Sequence, residues 1–226
     1  MDYCPGGELF FYLEKIGKFK EKTARFYAAC ILLGLEELHF NDVIYRDLKP
    51  ENVLIGLDGY AKITDFGLSK ENITGNSEAK SFCGTPEYLA PETLARTGHG
   101  KAADWWSFGA IIFEMVQGIP PFYTKNRTKL YNNIKTKELN LPNTITPVLR
   151  DLIYKLLTKD PEKRLGSKND AKEIMEHPWF ESINWDDLFH KKQRPPYVPQ
   201  LDDPTDVKHF CSGFTEREIY GSYTSD

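Results

Sequence analysis

Two short polar runs joined by a hairpin signal constrain this chain more than anything else in it. Tyr45-Arg46-Asp47-Leu48-Lys49-Pro50-Glu51-Asn52 is followed by Asp65-Phe66-Gly67. Between them, apolar stretches at residues 52–55 and 60–64 flank Gly56-Leu57-Asp58-Gly59, a turn sequence between two strands. Pairing those strands puts Asn52 at the start of one and Asp65 at the end of the other, side by side. Carboxylate and amide oxygens are the ligands that hard divalent cations take. A further carboxylate, Asp47, stands five positions before Asn52, where it can accept a hydroxyl proton.

The surroundings are those of an ordinary folded protein. The 226 residues are 40% hydrophobic and 27% charged, enough for a real core. The net charge of −4 gives no basic footprint for nucleic acid, while acidic clefts for basic substrates remain open. Cys4, Cys30, Cys83 and Cys211 form no Cys-x-x-Cys pair, which fits a reducing compartment. No basic-then-apolar leader opens the sequence, and the apolar pattern at residues 111–116 is too short to cross a membrane.

Residues 1–7 read as a linker and residues 8–16 as a helix stopped by Gly17. Residues 21–40 repeat Ala24, Ala28, Ile31, Leu35 and Leu38 at the helical period, marking a core helix. Residues 70–81 are polar and aperiodic, a loop. Residues 104–117 are apolar nearly all round, a buried helix ended by Gly118 and Pro120. Further helices are predicted at 127–138, 147–159 and 171–176. From residue 181 the chain turns Pro-, Asp- and aromatic-rich, a tail running over a surface.

The polar runs now acquire a family likeness. Residues 45–52 resemble the protein kinase catalytic loop, His-Arg-Asp-Leu-x-x-x-Asn, with Tyr45 for His, and residues 65–67 resemble its metal-binding turn. Gly84-Thr85-Pro86-Glu87-Tyr88-Leu89-Ala90-Pro91-Glu92 resembles the end of the activation segment. The chain is therefore similar to the large C-terminal lobe of a eukaryotic protein kinase, with residues 1–180 starting at the hinge and the small β lobe absent. The resemblance implies a mainly α fold, a helical bundle with short β-hairpins carrying the catalytic and metal loops. It implies phosphoryl transfer from ATP with two Mg²⁺ ions held by Asn52 and Asp65, Asp47 as base or orienter, and Lys49 offsetting phosphoryl charge. ATP would also meet Met1, Tyr3, Glu8, Glu51 and Phe210. Phe66 and Gly67 complete the metal turn, Glu92 would pair with Arg164, and Asp104 would brace the catalytic loop. Trp105 and Trp106 read as packing anchors.

Lys49 and Thr85 resemble the serine/threonine kinases rather than the tyrosine kinases. Tyr45 is the variant of the AGC group, the relatives of the cyclic-nucleotide-dependent kinases, protein kinase C and protein kinase B. Residues 82–92 are close to the protein kinase B and serum/glucocorticoid-regulated kinase pattern. Residues 181–226, with Pro195-Pro196-Tyr197-Val198-Pro199 and Phe210-x-x-x-Phe214, resemble a truncated AGC C-terminal extension. Taken alone, the proline run reads as a ligand for an SH3-like partner. Ser81 stands where the group carries its activating phosphate, with Arg46 and Lys70 as basic partners and an upstream kinase as donor. Glu8, Glu51 and Glu114 match positions that hold arginines upstream of the phosphoacceptor, so protein substrates with upstream basic residues are implied. A cytoplasmic location follows, with nuclear or membrane recruitment left to other regions.

Two expected parts are missing. The sequence contains no Gly-x-Gly-x-x-Gly and no Val-Ala-x-Lys; Gly98-His99-Gly100-Lys101 is a decoy without the earlier glycine. This leaves an alternative, a truncated and inactive fragment that binds a substrate or partner. Without a small lobe, ATP should bind weakly, apolar surface at residues 1–9 and the tail aromatics should stay wet, and the tail should lose its order beyond about Pro204.

Overall fold

The computed structural model describes residues 3–73, 79, 83–203 and 206–210. Its elements in chain order are α1 (Leu9–Ile16), α2 (Glu21–Phe40), β1 (Val53–Ile55), β2 (Ala61–Ile63), α3 (Pro91–Ala95), α4 (Lys101–Gln117), α5 (Arg127–Thr136), α6 (Pro147–Leu156), α7 (Asp170–Met175) and α8 (Trp185–Phe189). Helices make up most of the regular structure, and among the described residues the one named sheet is the antiparallel pair β1–β2.

The core is built on α2 and α4, which pack on each other, with α6 against α4. Every residue of α4 from Ala102 to Val116 is buried, as its lack of a polar stripe requires. Gly109 permits the close approach of α6: a Cβ there would stand 2.7 Å from that of Leu156. Gly118 closes α4 at φ 82°, the left-handed conformation that glycine adopts without a Cβ clash. Asn126 and Thr146 cap α5 and α6 by accepting from the amides of Lys129 and Leu149.

The predicted bounds of α2 coincide with the observed ones, because its apolar period runs unbroken between Lys20 and Asn41. Other ends differ. α4 starts at Lys101, three residues before the predicted start, because Ala102 and Ala103 are buried with the rest of the helix. α6 stops at Leu156, since the carbonyls of Thr158 and Lys159 turn out to meet the Arg164 guanidinium at 2.9 and 3.4 Å. The five-residue helices α3 and α8 were not foreseen, being too short to show a period.

The chain before α1 and after α8 departs from the expectation of wet apolar surface. Gly6 and Gly7 exchange backbone hydrogen bonds with Ile55 at 3.0 and 2.8 Å, and Cys4 and Leu9 are buried. Tyr197 stacks on Tyr12 and Tyr27, with ring centroids 5.7 and 6.3 Å apart, and His209 stacks on Tyr12 at 6.2 Å. The Tyr60 hydroxyl donates to the Gln193 carbonyl at 2.5 Å, and the Tyr3 hydroxyl to that of Asp206 at 2.8 Å. The helical lobe itself is thus a docking surface for this segment as far as Phe210. Residues 204, 205 and 211–226, including Phe214, lie outside the described residues.

Candidate active site

The loop between α2 and β1 is held by a carboxylate from α4. Asp104, fully buried at the helix start, accepts the Tyr45 amide at 2.7 Å and the Arg46 amide at 2.8 Å, one on each oxygen. Arg46 sits at φ 73°, a conformation that costs a non-glycine residue about 1–3 kcal/mol, and Asp104 holds it there. The Tyr45 hydroxyl donates to the Thr64 carbonyl, tying the loop to the residue before Asp65. Burial pushes the Tyr45 hydroxyl pKa up, so it stays a donor.

Asp47 projects from this loop into a ring of donors. One carboxylate oxygen accepts the Thr85 amide at 3.0 Å and hydroxyl at 2.9 Å; the other accepts Asn52 Nδ2 and Lys49 Nζ, each at 3.0 Å. Lys49 Nζ also donates to Thr85 Oγ1 at 2.9 Å, closing the ring. The Asn52 side chain reaches back to the Asp47 carbonyl at 2.9 Å, while its own carbonyl accepts from Thr64 across the hairpin at 3.0 Å. The register pairs Val53 with Ile63, so Asp65 follows directly on the residue facing Asn52. Residues remote in sequence, 47, 49, 52 and 85, thereby share one constellation.

Asp65 is exposed at φ 57°, and its Oδ1 accepts the Gly67 amide at 3.3 Å. Phe66 meets Tyr45 edge-on at 5.7 Å and is otherwise half exposed. Asn52 and Asp65 fit a magnesium ion by the chemistry of their oxygens. Among the described residues no three His, Cys, Asp or Glu side chains gather round a common point, so such an ion would need phosphate or water oxygens as well.

Among the acidic positions, Glu51 acts on both Glu8 and Glu114. Glu8 is bridged through its backbone to Leu54, and burial together with the nearby Glu51 raises its carboxyl pKa. Glu51 Oε2 is buried with no hydrogen-bond partner among the described residues. Glu114 accepts the Tyr88 hydroxyl at 2.5 Å; burial, with Glu51 and Glu87 adding repulsion, lifts its pKa to about 7. Glu92 and Arg164 form a bidentate pair at 2.6 and 2.9 Å, and Arg164 also donates to the Ala102 carbonyl at 2.6 Å.

Lys70 lies beside this loop through reciprocal backbone hydrogen bonds with Ile44, at 2.9 and 3.0 Å, and Arg46 Nε donates to the Leu68 carbonyl at 2.5 Å. Ser81 and Met1 lie outside the described residues. Tyr3 is half exposed, and Phe210 sits at the far end of the docked tail, partly buried. His39 contacts Asp104 from behind and is met in turn by Asp170; neither residue stands out in the sequence, since a histidine inside an apolar helix carries no local signature.

The protein kinase domain family matches residues 1–180. The chain belongs to the protein kinase family. It is 49% identical over 222 residues, 98% of its length, to serine/threonine-protein kinase Sgk1 of Xenopus tropicalis, covering 53% of that protein. The human Sgk1 is likewise 49% identical, with 52% covered, and the Gallus gallus Sgk1 48%, with 51% covered. The chain thus spans about half the length of the curated relatives it matches. This likeness agrees with the AGC-group features, Tyr45 and the run ending at Glu92. Among the described residues, no helix is long and apolar enough to cross a membrane.

Proposed function

We propose that this chain carries the acceptor and metal side of ATP-dependent phosphorylation of protein serine and threonine residues. The observation that carries the reading is the ring around Asp47. With Thr85 and Asn52 holding its two oxygens, Asp47 is aimed to receive the hydroxyl hydrogen of a serine or threonine. Lys49, already fixed against Asp47 and Thr85, supplies positive charge where the phosphoryl group is transferred. Asn52 and Asp65 would hold magnesium, which when bound neutralises phosphate charge. On this side of the nucleotide, Met1, Tyr3, Glu8, Glu51 and Phe210 complete the ATP contacts, and the segment from residue 181 acts as the AGC extension.

Substrate choice falls to Glu8, Glu51 and Glu114. Their mutual repulsion and the unpartnered Glu51 oxygen are relieved by a guanidinium, which favours arginine upstream of the acceptor. Phosphate on Ser81, placed there by another kinase, would draw in Arg46 and Lys70 and order the activation segment. The site of action is the cytoplasm.

Phosphate transfer from Mg-ATP to an Arg-containing serine peptide tests this reading. The chain would be assayed alone and joined behind the part of Sgk1 that precedes the matched segment. Transfer by the joined protein is expected, with little by the chain alone, since the 226 residues hold no Gly-rich loop. A folded joined protein that binds the peptide without phosphorylating it would instead make this chain a substrate-binding module.

A further inference from the structure

His39 is fully buried, and both of its ring nitrogens face carboxylates. Nε2 lies 3.0 Å from Asp104 Oδ2 and Nδ1 2.8 Å from Asp170 Oδ1. A neutral imidazole has one N–H and one lone pair, so one of these contacts would set a lone pair against a carboxylate oxygen. With both carboxylates ionised, both contacts are hydrogen bonds only when both nitrogens carry protons. Burial alone pulls the His39 pKa down, but the hydrogen bonds to Asp104 and Asp170 outweigh it and leave the pKa at about 9. These are the charged groups that face the ring from α4 and α7; on its own helix Glu36 is coupled to Asp170, and burial keeps its carboxyl pKa up.

Asp170 is itself fixed. It opens α7 at φ 51°, a left-handed conformation, and accepts Trp105 Nε1 at 2.8 Å on the same oxygen that meets His39. The Trp105 ring lies edge-on to His39 at 4.8 Å. A continuous set of contacts therefore runs from α7 through α2 and α4 to the two amides immediately before Asp47.

We propose that His39, held as an imidazolium by Asp170, is a positioning residue for the catalytic loop: it fixes Asp104 on the Tyr45 and Arg46 amides and so aims Asp47. Without that positive charge, Asp104 and Asp170 face each other as two carboxylates across the ring, and Asp104 is free to turn from the loop. The consequence for phosphoryl transfer rests on the proposed function, but the charge state and the grip on the loop do not.

The test uses the chain itself. In nitrogen-15 spectra, both ring nitrogens of His39 should remain protonated from pH 6 to 8, with the proton lost near pH 9. Asp170→Asn should move that titration down by at least about one pH unit. Above the lowered pKa, the same variant should reduce exchange protection of the Tyr45 and Arg46 amides about tenfold, while α6 amides keep theirs. A purely structural role would weaken α6 equally and leave the ring titration in place. His39→Gln should lose the two loop amides' protection at every pH; if that variant does not fold, the ring titration still decides. A neutral His39 at pH 7 in the unmodified chain, or an unchanged titration in Asp170→Asn, would overturn the proposal. A protonated His39 in a protein that transfers no phosphate would support it while faulting the functional reading.

Discussion

Replacing Glu92 by Gln strikes a buried, bidentate ion pair. Arg164 is 1% exposed, and Glu92 meets it with both oxygens, at 2.6 and 2.9 Å. Removing one member of a buried pair strands the other charge and costs about 3–5 kcal/mol. The guanidinium would keep the Ala102 carbonyl at 2.6 Å, the Thr158 carbonyl at 2.9 Å and the Trp106 ring at 5.2 Å. Those remaining contacts, and the single oxygen that Gln retains, put the expected loss at the low end, about 3 kcal/mol. For a chain of this size each kcal/mol shifts Tm by about 2–4 °C, so Tm should fall by roughly 6–12 °C. Urea unfolding followed by tryptophan fluorescence should show an earlier midpoint with an unchanged slope, since the surface exposed on unfolding is the same. Glu92→Leu combined with Arg164→Met should be milder than Glu92→Gln, because neither charge is then stranded. A loss below about 1 kcal/mol in Glu92→Gln, or a double variant whose loss equals the sum of the single ones, would show that no buried charge is stranded at this pair.

Two other perturbations follow from the site and the tail. Glu114 has a folded pKa of about 7, above its ordinary value, so the native state holds the extra proton and stability falls as pH rises from roughly 4.5 to 7. Glu114→Gln should therefore flatten the dependence of the urea midpoint on pH across that window and stabilise the protein at pH 8; an unaltered profile would contradict the burial argument. Tyr197→Ala should release the segment after α8 from Tyr12 and Tyr27, with limited proteolysis within residues 190–203 rising at least about tenfold and Tm falling only slightly. Protease resistance equal to the unmodified chain would show that the stack does not hold the tail.

The parts of the molecule legible in the sequence are those whose partners are near or whose spacing is fixed. Asp47, Lys49 and Asn52 lie within one short loop, the hairpin turn at residues 56–59 sets the position of Asp65, and α2 follows an unbroken apolar period. Glu92 with Arg164, and Asp104 with the loop, were accessible only through family likeness, because no local pattern links residues so distant. His39 meeting Asp170 across 131 positions has neither period nor motif to announce it. The docking of residues 193–203 and 206–209 departs from the expectation for a related reason. The tyrosines that receive it, Tyr12 and Tyr27, read as ordinary helix residues until the fold lines them up. The short helices α3 and α8 depend on Pro91 at a first turn and on the Asn184 cap, signals too brief to count against loop chemistry.

In the proposed function, Asp47, gripped by Thr85, Asn52 and Lys49, receives the hydroxyl hydrogen of the acceptor. The most direct test of that role is single-turnover phosphorylation of an Arg-containing serine peptide by the joined protein carrying Asp47→Asn. The transfer rate should drop by about 10²–10⁴-fold, the range for loss of a general base, with peptide affinity unchanged. A rate within about tenfold of the unmodified protein would contradict the account.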